Sequence, residues 1–247
     1  MEQKQKGIFY NLVIVLLLLI FQQLASAVGR FVANAFTYNW IDQDGIFAWI
    51  SVHHIVQMAL ALLAVGIIRK RLKVNFGFCF GNIRAGIKYT MIFSMVIFIY
   101  VLVSYYIGYA NHSIQAYEYP LHCKNVIGTL GFQLLLSGPS EEILFRALPI
   151  TVLIYSLGMG RKTKKLHISI ETMLAAFLFS LAHINWVLKP FVIQVDWFQL
   201  IYAFILGICY GFVYEKSESI VYPMAMHSIS NVLMVGVGYV FFILQSP

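Results

Sequence analysis

Long apolar runs are the feature that most constrains this chain of 247 residues. A run of about 20 apolar residues can cross the hydrocarbon core of a bilayer as one helix, which satisfies its own backbone polar groups. Hydrophobic residues make up 60% of the chain and charged residues 11%, whereas soluble domains average about 25% charged residues. We therefore predict an all-α fold, a polytopic transmembrane helix bundle with about seven spans, and six to eight spans are compatible with the pattern. The runs are 8–29, 46–68, 87–110, 127–158, 168–188, 198–214 and 220–244.

The lysines and arginines between these runs predict the orientation of the chain. If the N-terminus is inside, twelve of them lie in inner connections and three in outer connections. Basic residues collect in cytoplasmic loops, so we expect a cytoplasmic N-terminus. The same bias explains the net charge of +7. The sequence does not indicate nucleic-acid binding, because it contains no basic stripe with stacking aromatics. The start of the chain through Ala25-Ser26-Ala27 resembles a signal peptide, but we expect a polytopic protein to retain its first helix.

The fourth run contains charges that a membrane span does not carry without a reason. They are Glu141, Glu142 and Arg146. A charge in hydrocarbon costs about 2.5–3.5 kcal/mol even on mild insertion scales, so it needs a partner or a purpose. Arg146 lies one helical turn after Glu142 and can pair with it, which leaves Glu141 without a partner nearby in sequence. Gly138-Pro139 predicts a kink or a helix restart just before the two glutamates.

Histidines and an asparagine supply further polar groups within the runs. His183 lies in the fifth run, and His227 and Asn231 project from one face of the seventh because they are four residues apart. A single such residue is more often a helix-to-helix hydrogen bond than a catalyst. Together, a carboxylate and two imidazoles can bind a divalent metal such as zinc, or can activate water while other donors hold an oxyanion. We interpret the adjacent His53 and His54 of the second run as interfacial polar residues.

Three motifs, each in a separate run, carry a resemblance to a known family. They are EExxxR at 141–146, FxxxH at 179–183 and HxxxN at 227–231. In this order they resemble the CPBP family, the CAAX-protease and bacteriocin-processing intramembrane endopeptidases that are also called the Abi family. The resemblance covers roughly residues 130 to 240. Ala147 departs from the pattern, since the family often has glycine after the arginine, and this departure concerns only close packing.

The resemblance implies a role for each matching residue. Glu141 would activate the attacking water with assistance from His183. His227 and Asn231 would stabilise the oxyanion. The supporting residues would be Glu142 and Arg146. If a metal takes part, its ligands would be Glu141, His183 and His227; we favour a metal-free mechanism because the chain has no HExxH helix.

These features together predict an intramembrane endopeptidase embedded in the lipid bilayer. We expect N-terminal spans without a motif over 1–126 and a catalytic helix bundle over 127–247, within one membrane domain. The substrate would be a membrane-associated leader peptide, bacteriocin or signalling peptide, or a CAAX-type protein. The Ile, Phe and Tyr content is typical of an AT-rich bacterial genome, which favours a bacterial cell membrane and the peptide substrates. The alternatives are a non-catalytic membrane regulator or bacteriocin-immunity protein that binds a partner, and a transporter, whose inverted repeats we do not find.

Overall fold

A computed structural model describes residues 7–157, 168–188 and 191–245 of the chain. Five of its helices are long and apolar enough to cross a membrane, which makes this an integral membrane protein. They are α1 (Ile8–Ala33), α2 (Ala48–Leu72), α3 (Ile83–Ala110), α8 (Trp197–Ser217) and α9 (Val221–Gln245). The shorter helices are α4 (Cys123–Phe132), α5 (Gly138–Glu142), α6 (Leu148–Leu157) and α7 (Ile170–Leu181). The predicted membrane helix bundle is confirmed.

The fifth predicted span differs from the structure. We expected a helix over 168–188, but α7 ends at Leu181 and a two-stranded antiparallel hairpin follows, with strands β1 (Asn185–Leu188) and β2 (Phe191–Gln194). The apolar run continues past the end of the helix, so hydrophobicity alone did not reveal the change. Trp186 and Val187 are of types that favour strands over helices. The expectation of a helix through residue 188 is therefore wrong.

The fourth run forms one helical path from α4 to α6 that changes its turn type twice. A first π turn (Gln133–Ser137) joins α4 to α5, and a second π turn (Ile143–Ala147) joins α5 to α6. Pro139 lies in the first turn of α5. Proline has no N–H and clashes with the carbonyl four residues earlier, and a wider turn before it relieves both problems. The backbone keeps helical angles at Ser137 and Gly138, so the helix continues there rather than restarting, and Glu141 lies in the first turn of α5.

Small residues allow the helices around α5 to approach closely. A Cβ atom on Gly138 would lie 2.5 Å from the carbonyl oxygen of Met224 and 2.5 Å from Oγ of Ser228, so α5 lies directly against α9. A Cβ atom on Gly207 of α8 would lie 2.9 Å from Cβ of Ala176 in α7. Membrane helices associate through such close packing because lipid provides no hydrophobic force between them.

The N-terminal helices pack directly on the segment that contains the two glutamates. Helix α1 pairs with α2, and α2 contacts α5 and both π turns. Helix α3 pairs with α9, and α7 pairs with α8. The helices on both sides of residue 126 therefore surround α5, and the boundary that we drew at this residue stays a prediction.

Two aspartates between α1 and α2 fix the ends of neighbouring helices. Asp42 is 1% exposed and accepts hydrogen bonds from the backbone N–H groups of residues 46–48, which caps α2. Oδ2 of Asp44 accepts a hydrogen bond of 2.9 Å from Nδ2 of Asn125 and lies 3.1 Å from Nε2 of His122. The hydrogen bond from Asn125 is the main cause that holds the pKa of Asp44 below its ordinary value of 3.8.

Candidate active site

Glu141 presents its two carboxylate oxygens to two different histidines. Oε1 lies 3.9 Å from Nε2 of His54 in α2, and Oε2 lies 3.8 Å from Nε2 of His227 in α9. Hydrogen bonds between such atoms are about 2.7–3.2 Å long, so neither contact is a direct hydrogen bond. The glutamate that had no partner nearby in sequence therefore has an imidazole on each side, close to van der Waals distance rather than in a direct hydrogen bond.

Glu142 is engaged with a different set of groups. Its Oε1 accepts a hydrogen bond of 2.7 Å from Nδ1 of His227 and lies 3.3 Å from Nη1 of Arg146. The side chains of Glu142 and Arg146 are both fully buried. An ionised carboxylate can only accept hydrogen bonds, so we assign the Nδ1 proton of His227 to this contact. Glu142 thereby orients the ring so that Nε2 faces Glu141.

Two aromatic rings surround the buried guanidinium of Arg146. Its central carbon lies 3.9 Å from the ring centre of Phe179 and 5.3 Å from that of Tyr210. Cations are attracted to aromatic faces, more strongly where water is excluded. Tyr210 also stacks on His227, with 5.2 Å between ring centres and 19° between ring planes. The same aromatic side chain therefore stabilises the cation and fixes the plane of the histidine.

His183 and Asn231 are each held by one hydrogen bond to a neighbouring element. His183 follows the end of α7, where the last carbonyls have no helical partner, and its Nδ1 donates to the carbonyl of Phe179 at 2.9 Å. Nδ2 of Asn231 donates to Oγ of Ser137 at 2.8 Å, which joins α9 to the first π turn. Each side chain keeps a further polar atom for the cavity, Nε2 in the histidine and the second amide hydrogen in the asparagine.

A cavity of about 260 Å³ brings the predicted catalytic residues together. The side chains that line it include Glu141, His183, His227, Asn231 and His54. A larger cavity of about 840 Å³ lies beside it, between α1, α2, the second π turn and α7. Glu141, His54 and His183 line both cavities. The carboxylate of Glu141 is therefore accessible from the larger cavity and lies next to the donors that line the smaller one.

Our reading of the sequence missed His54 as a residue of this site. We interpreted it as an interfacial polar residue, but it is 7% exposed and lines both cavities. A signal was present, because an imidazole within an apolar run needs a partner for the same reason as a carboxylate does. Ser140, Ser137 and Tyr210 were also missed as supporting residues, since their hydrogen bonds and stacking join distant parts of the chain.

The arrangement does not form a ready site for a metal ion. Within the described residues, no three His, Cys, Asp or Glu side chains lie close enough together to hold one. A nitrogen and an oxygen that ligate the same tetrahedral zinc ion are about 3.3 Å apart, which is less than the 3.8 and 3.9 Å between Glu141 and its two histidines. The part of Glu141, His183 and His227 in binding a metal therefore stays a prediction.

The fold and the site define an integral membrane protein with a carboxylate and several histidines beside an internal cavity. Residues 124–233 match the family described as Rce1-like, type II CAAX prenyl endopeptidases. The matched region contains all six site residues that the motifs indicated, whereas His54 lies outside it. No curated protein and no solved structure matched the chain. The family match is consistent with the resemblance to the CPBP and CAAX proteases and supports intramembrane proteolysis as the general activity.

Proposed function

We propose that this protein is an intramembrane endopeptidase in which Glu141 activates water to hydrolyse a peptide bond. The observation that carries the proposal is the position of Glu141 between two imidazole Nε2 atoms, at 3.9 and 3.8 Å, where two cavities meet. A carboxylate in this position is within reach of a water molecule and of a peptide group that enters from either cavity. The similarity of residues 124–233 to CAAX prenyl endopeptidases supports the same reaction class.

The attack step uses Glu141 as the general base. Its carboxylate takes one proton from water while the water oxygen bonds to the carbonyl carbon, and the carbonyl electrons move to the oxygen. His227 stabilises this oxyanion when both of its ring nitrogens carry a hydrogen, because Nδ1–H is directed to Glu142 and Nε2–H then points into the site. The second amide hydrogen of Asn231 is the other donor. A single oxyanion donor typically contributes about 10²–10³-fold in rate.

The collapse step returns the proton to the leaving nitrogen. The carbon–nitrogen bond breaks, the carbonyl re-forms, and the proton that Glu141 accepted moves to the amine product. His183 assists this transfer, because its Nδ1 is committed to the carbonyl of Phe179 and its Nε2 can take and give a proton. The carboxylate of Glu141 is regenerated, and the products are one carboxylic acid and one amine.

The larger cavity is the proposed binding site for the substrate. Its α1 wall combines apolar and polar residues, namely Leu19, Ile20, Leu24 and Ala27 with Gln22, Gln23, Ser26 and Arg30. Such a surface suits a peptide segment that presents both apolar and polar groups. We infer a membrane-associated peptide or protein, such as a leader peptide, a bacteriocin, a signalling peptide or a CAAX-type protein, in a bacterial cell membrane.

Replacement of Glu141 by glutamine tests the proposal. Glu141→Gln keeps the shape of the side chain but cannot take a proton from water, so we expect kcat to fall by about 10²–10⁴-fold with little change in substrate binding. The substrate is found first, by mass spectrometry of membrane peptides from cells that express the wild type or the variant. A synthetic peptide spanning the cleavage site then gives kcat and KM with purified protein.

Matched variants complete this test. Glu118→Gln makes the same chemical change at an exposed carboxylate in the connection between α3 and α4 and should leave kcat unchanged. Asn231→Ala should cost about 10²–10³-fold as the loss of one oxyanion donor. A Glu141→Gln protein that cleaves at the wild-type rate would refute the role of Glu141. A protein that only binds a partner should tolerate this change, which would then favour the regulator or immunity protein.

A further inference from the structure

His54 adds a third imidazole to the site and comes from α2, outside the region that matches the endopeptidase family. Its Nδ1 lies 2.7 Å from Oγ of Ser140, and that hydroxyl lies 3.1 Å from the carbonyl oxygen of Ser137. A serine hydroxyl has one hydrogen to donate, and the carbonyl of Ser137 can only accept it. The oxygen of Ser140 therefore accepts a hydrogen bond from Nδ1–H of His54, which makes Nε2 the nitrogen that carries a lone pair.

The two sides of Glu141 then differ in chemistry. On the Oε2 side, His227 has a carboxylate at each ring nitrogen, Glu142 at 2.7 Å from Nδ1 and Glu141 at 3.8 Å from Nε2, so in the proposed mechanism both nitrogens carry a hydrogen and Nε2 donates. On the Oε1 side, Nε2 of His54 is an acceptor at 3.9 Å. One water molecule with hydrogen bonds of about 2.8 Å reaches two acceptors that are about 4 Å apart. The Oε1 side is therefore suited to hold water, and the Oε2 side to stabilise negative charge.

We propose that His54 is a positioning residue of the hydrolytic site, whose Nε2 accepts the second hydrogen of the water that Glu141 activates. With one hydrogen directed to Glu141 and the other to His54, the oxygen lone pair of the water points away from both groups, toward the bound peptide carbonyl. This inference rests on the proposed peptidase function. It assigns to α2, which carries none of the three motifs, a direct part in the chemistry.

The surroundings of His54 hold its ring in this orientation. The residue is 7% exposed, and its ring meets Phe132 edge to face, with 4.9 Å between centres and 80° between planes. The ring of His53 meets it on another side at 5.2 Å and 71°. Ser140 is fully buried, so its hydrogen bond to His54 does not compete with bulk water. A side chain that is fixed before substrate binds contributes more to rate than a mobile one.

His54→Asn separates the two functions of the ring, because the asparagine amide can keep a donor near the position of Nδ1 but places nothing at Nε2. We expect normal amounts of folded protein, unchanged KM and a kcat about 10²-fold lower, at the lower end of the range for acid–base groups. His112→Asn is the control. It makes the same change at an exposed histidine between α3 and α4 that lines neither cavity, and it should leave kcat near the wild-type value.

Two further measurements exclude a purely structural role. In His54→Ala the space of the missing ring opens into both cavities, and added imidazole should restore part of the lost kcat. Ser140→Ala keeps His54 but removes the acceptor that selects its tautomer, so kcat should fall by about 2- to 10-fold, as expected for one hydrogen bond. Lost folded protein in His54→Asn and His54→Ala, without imidazole rescue, would assign His54 to packing alone and overturn the proposal.

The same panel separates this inference from the function on which it rests. If Glu141→Gln abolishes cleavage and His54→Asn retains the wild-type kcat, the positioning role of His54 is refuted and the peptidase function stands. If Glu141→Gln cleaves normally, the proposed function fails and the role of His54 fails with it. A loss of kcat in both variants, with imidazole rescue confined to His54→Ala, supports both.

Discussion

Arg146 is the largest fully buried charged side chain in the described part of the chain, and Glu142 is its counterion. The pair lies at i and i+4, and the cation also contacts the face of Phe179. Removal of one member of a buried pair leaves the other charge without compensation, which typically costs about 3–5 kcal/mol. Glu142 also orients His227, so the ion pair links the stability of the bundle to the geometry of the site.

Arg146→Ala should therefore lower the amount of folded protein in membranes, as measured by size-exclusion chromatography of a fluorescent fusion. Arg84→Ala, at an exposed arginine near the start of α3, is the matched control and should fold normally. Adding Glu142→Gln to Arg146→Ala removes the orphaned charge and should recover part of the loss. Normal folding of Arg146→Ala with selective loss of cleavage would argue instead for a direct chemical role of the arginine.

Residues of this site differ in how far the sequence could predict them. The spacing of Glu142 and Arg146 predicts their ion pair, and the structure has it at 3.3 Å. The contacts of His54 could not be predicted, because its hydrogen-bond partner Ser140 lies 86 residues later and no local spacing links the two. Apolar context reveals which polar residues need partners, whereas only the packing of helices reveals which partners they have.

At the scale of elements, the apolar runs predict most helices because hydrophobicity over about 20 residues is a strong signal. The end of α7 and the hairpin after it could not be predicted, since the apolar run passes through both. The contact between two of the connections could not be predicted either. Asp44, His122 and Asn125 join the loop before α2 to the start of α4, although 78 and 81 residues separate the aspartate from its partners.

This connection predicts a pH-dependent contribution to stability. The folded-state pKa of Asp44 is lowered mainly by the hydrogen bond from Asn125, so its stabilising effect is present above the ordinary pKa of 3.8 and is lost as pH falls through the lower folded-state value. Asp44→Asn should thus unfold at a lower temperature than the wild type near neutral pH, and the difference should shrink as pH falls below 3.8. Thermal unfolding in detergent over a pH series measures it, with Glu118→Gln as the control. A difference that is the same at every pH would contradict the assignment.

At the scale of the whole molecule, the orientation in the membrane determines which side supplies the substrate. The positive-inside bias predicts that the connections 69–86 and 159–167, which contain nine of the seventeen lysines and arginines, are cytoplasmic. The second of these lies outside the described residues. The first is open to a direct test, because Cys79 lies before α3 and Cys123 lies beyond it. A helix of the 28 residues of α3 is about 42 Å long, which is enough to cross a bilayer, so we expect the two thiols on opposite sides of the membrane.

Two variants provide this test, one that keeps only Cys79 and one that keeps only Cys123. Both of these thiols are exposed and can react. We expect a membrane-impermeant maleimide to label the Cys123-only protein in intact cells and the Cys79-only protein only after permeabilisation. Cys209 is replaced in both chains. The opposite pattern would invert the predicted orientation, with the N-terminus outside.

The two π turns on either side of α5 make chain length as important as residue identity in this segment. A π turn contains one residue more than an α turn, so each shifts all later side chains by about 100° around the helix axis. Glu141 and Glu142 lie between the two shifts, where they contact opposite ring nitrogens of His227. Substitutions on the outer surface, for example at Leu135, which is 67% exposed, leave the register intact. An insertion or deletion between Gln133 and Ala147 would instead rotate one glutamate away from its histidine. In related sequences we therefore expect the residue types of this segment to vary while its number of residues stays constant.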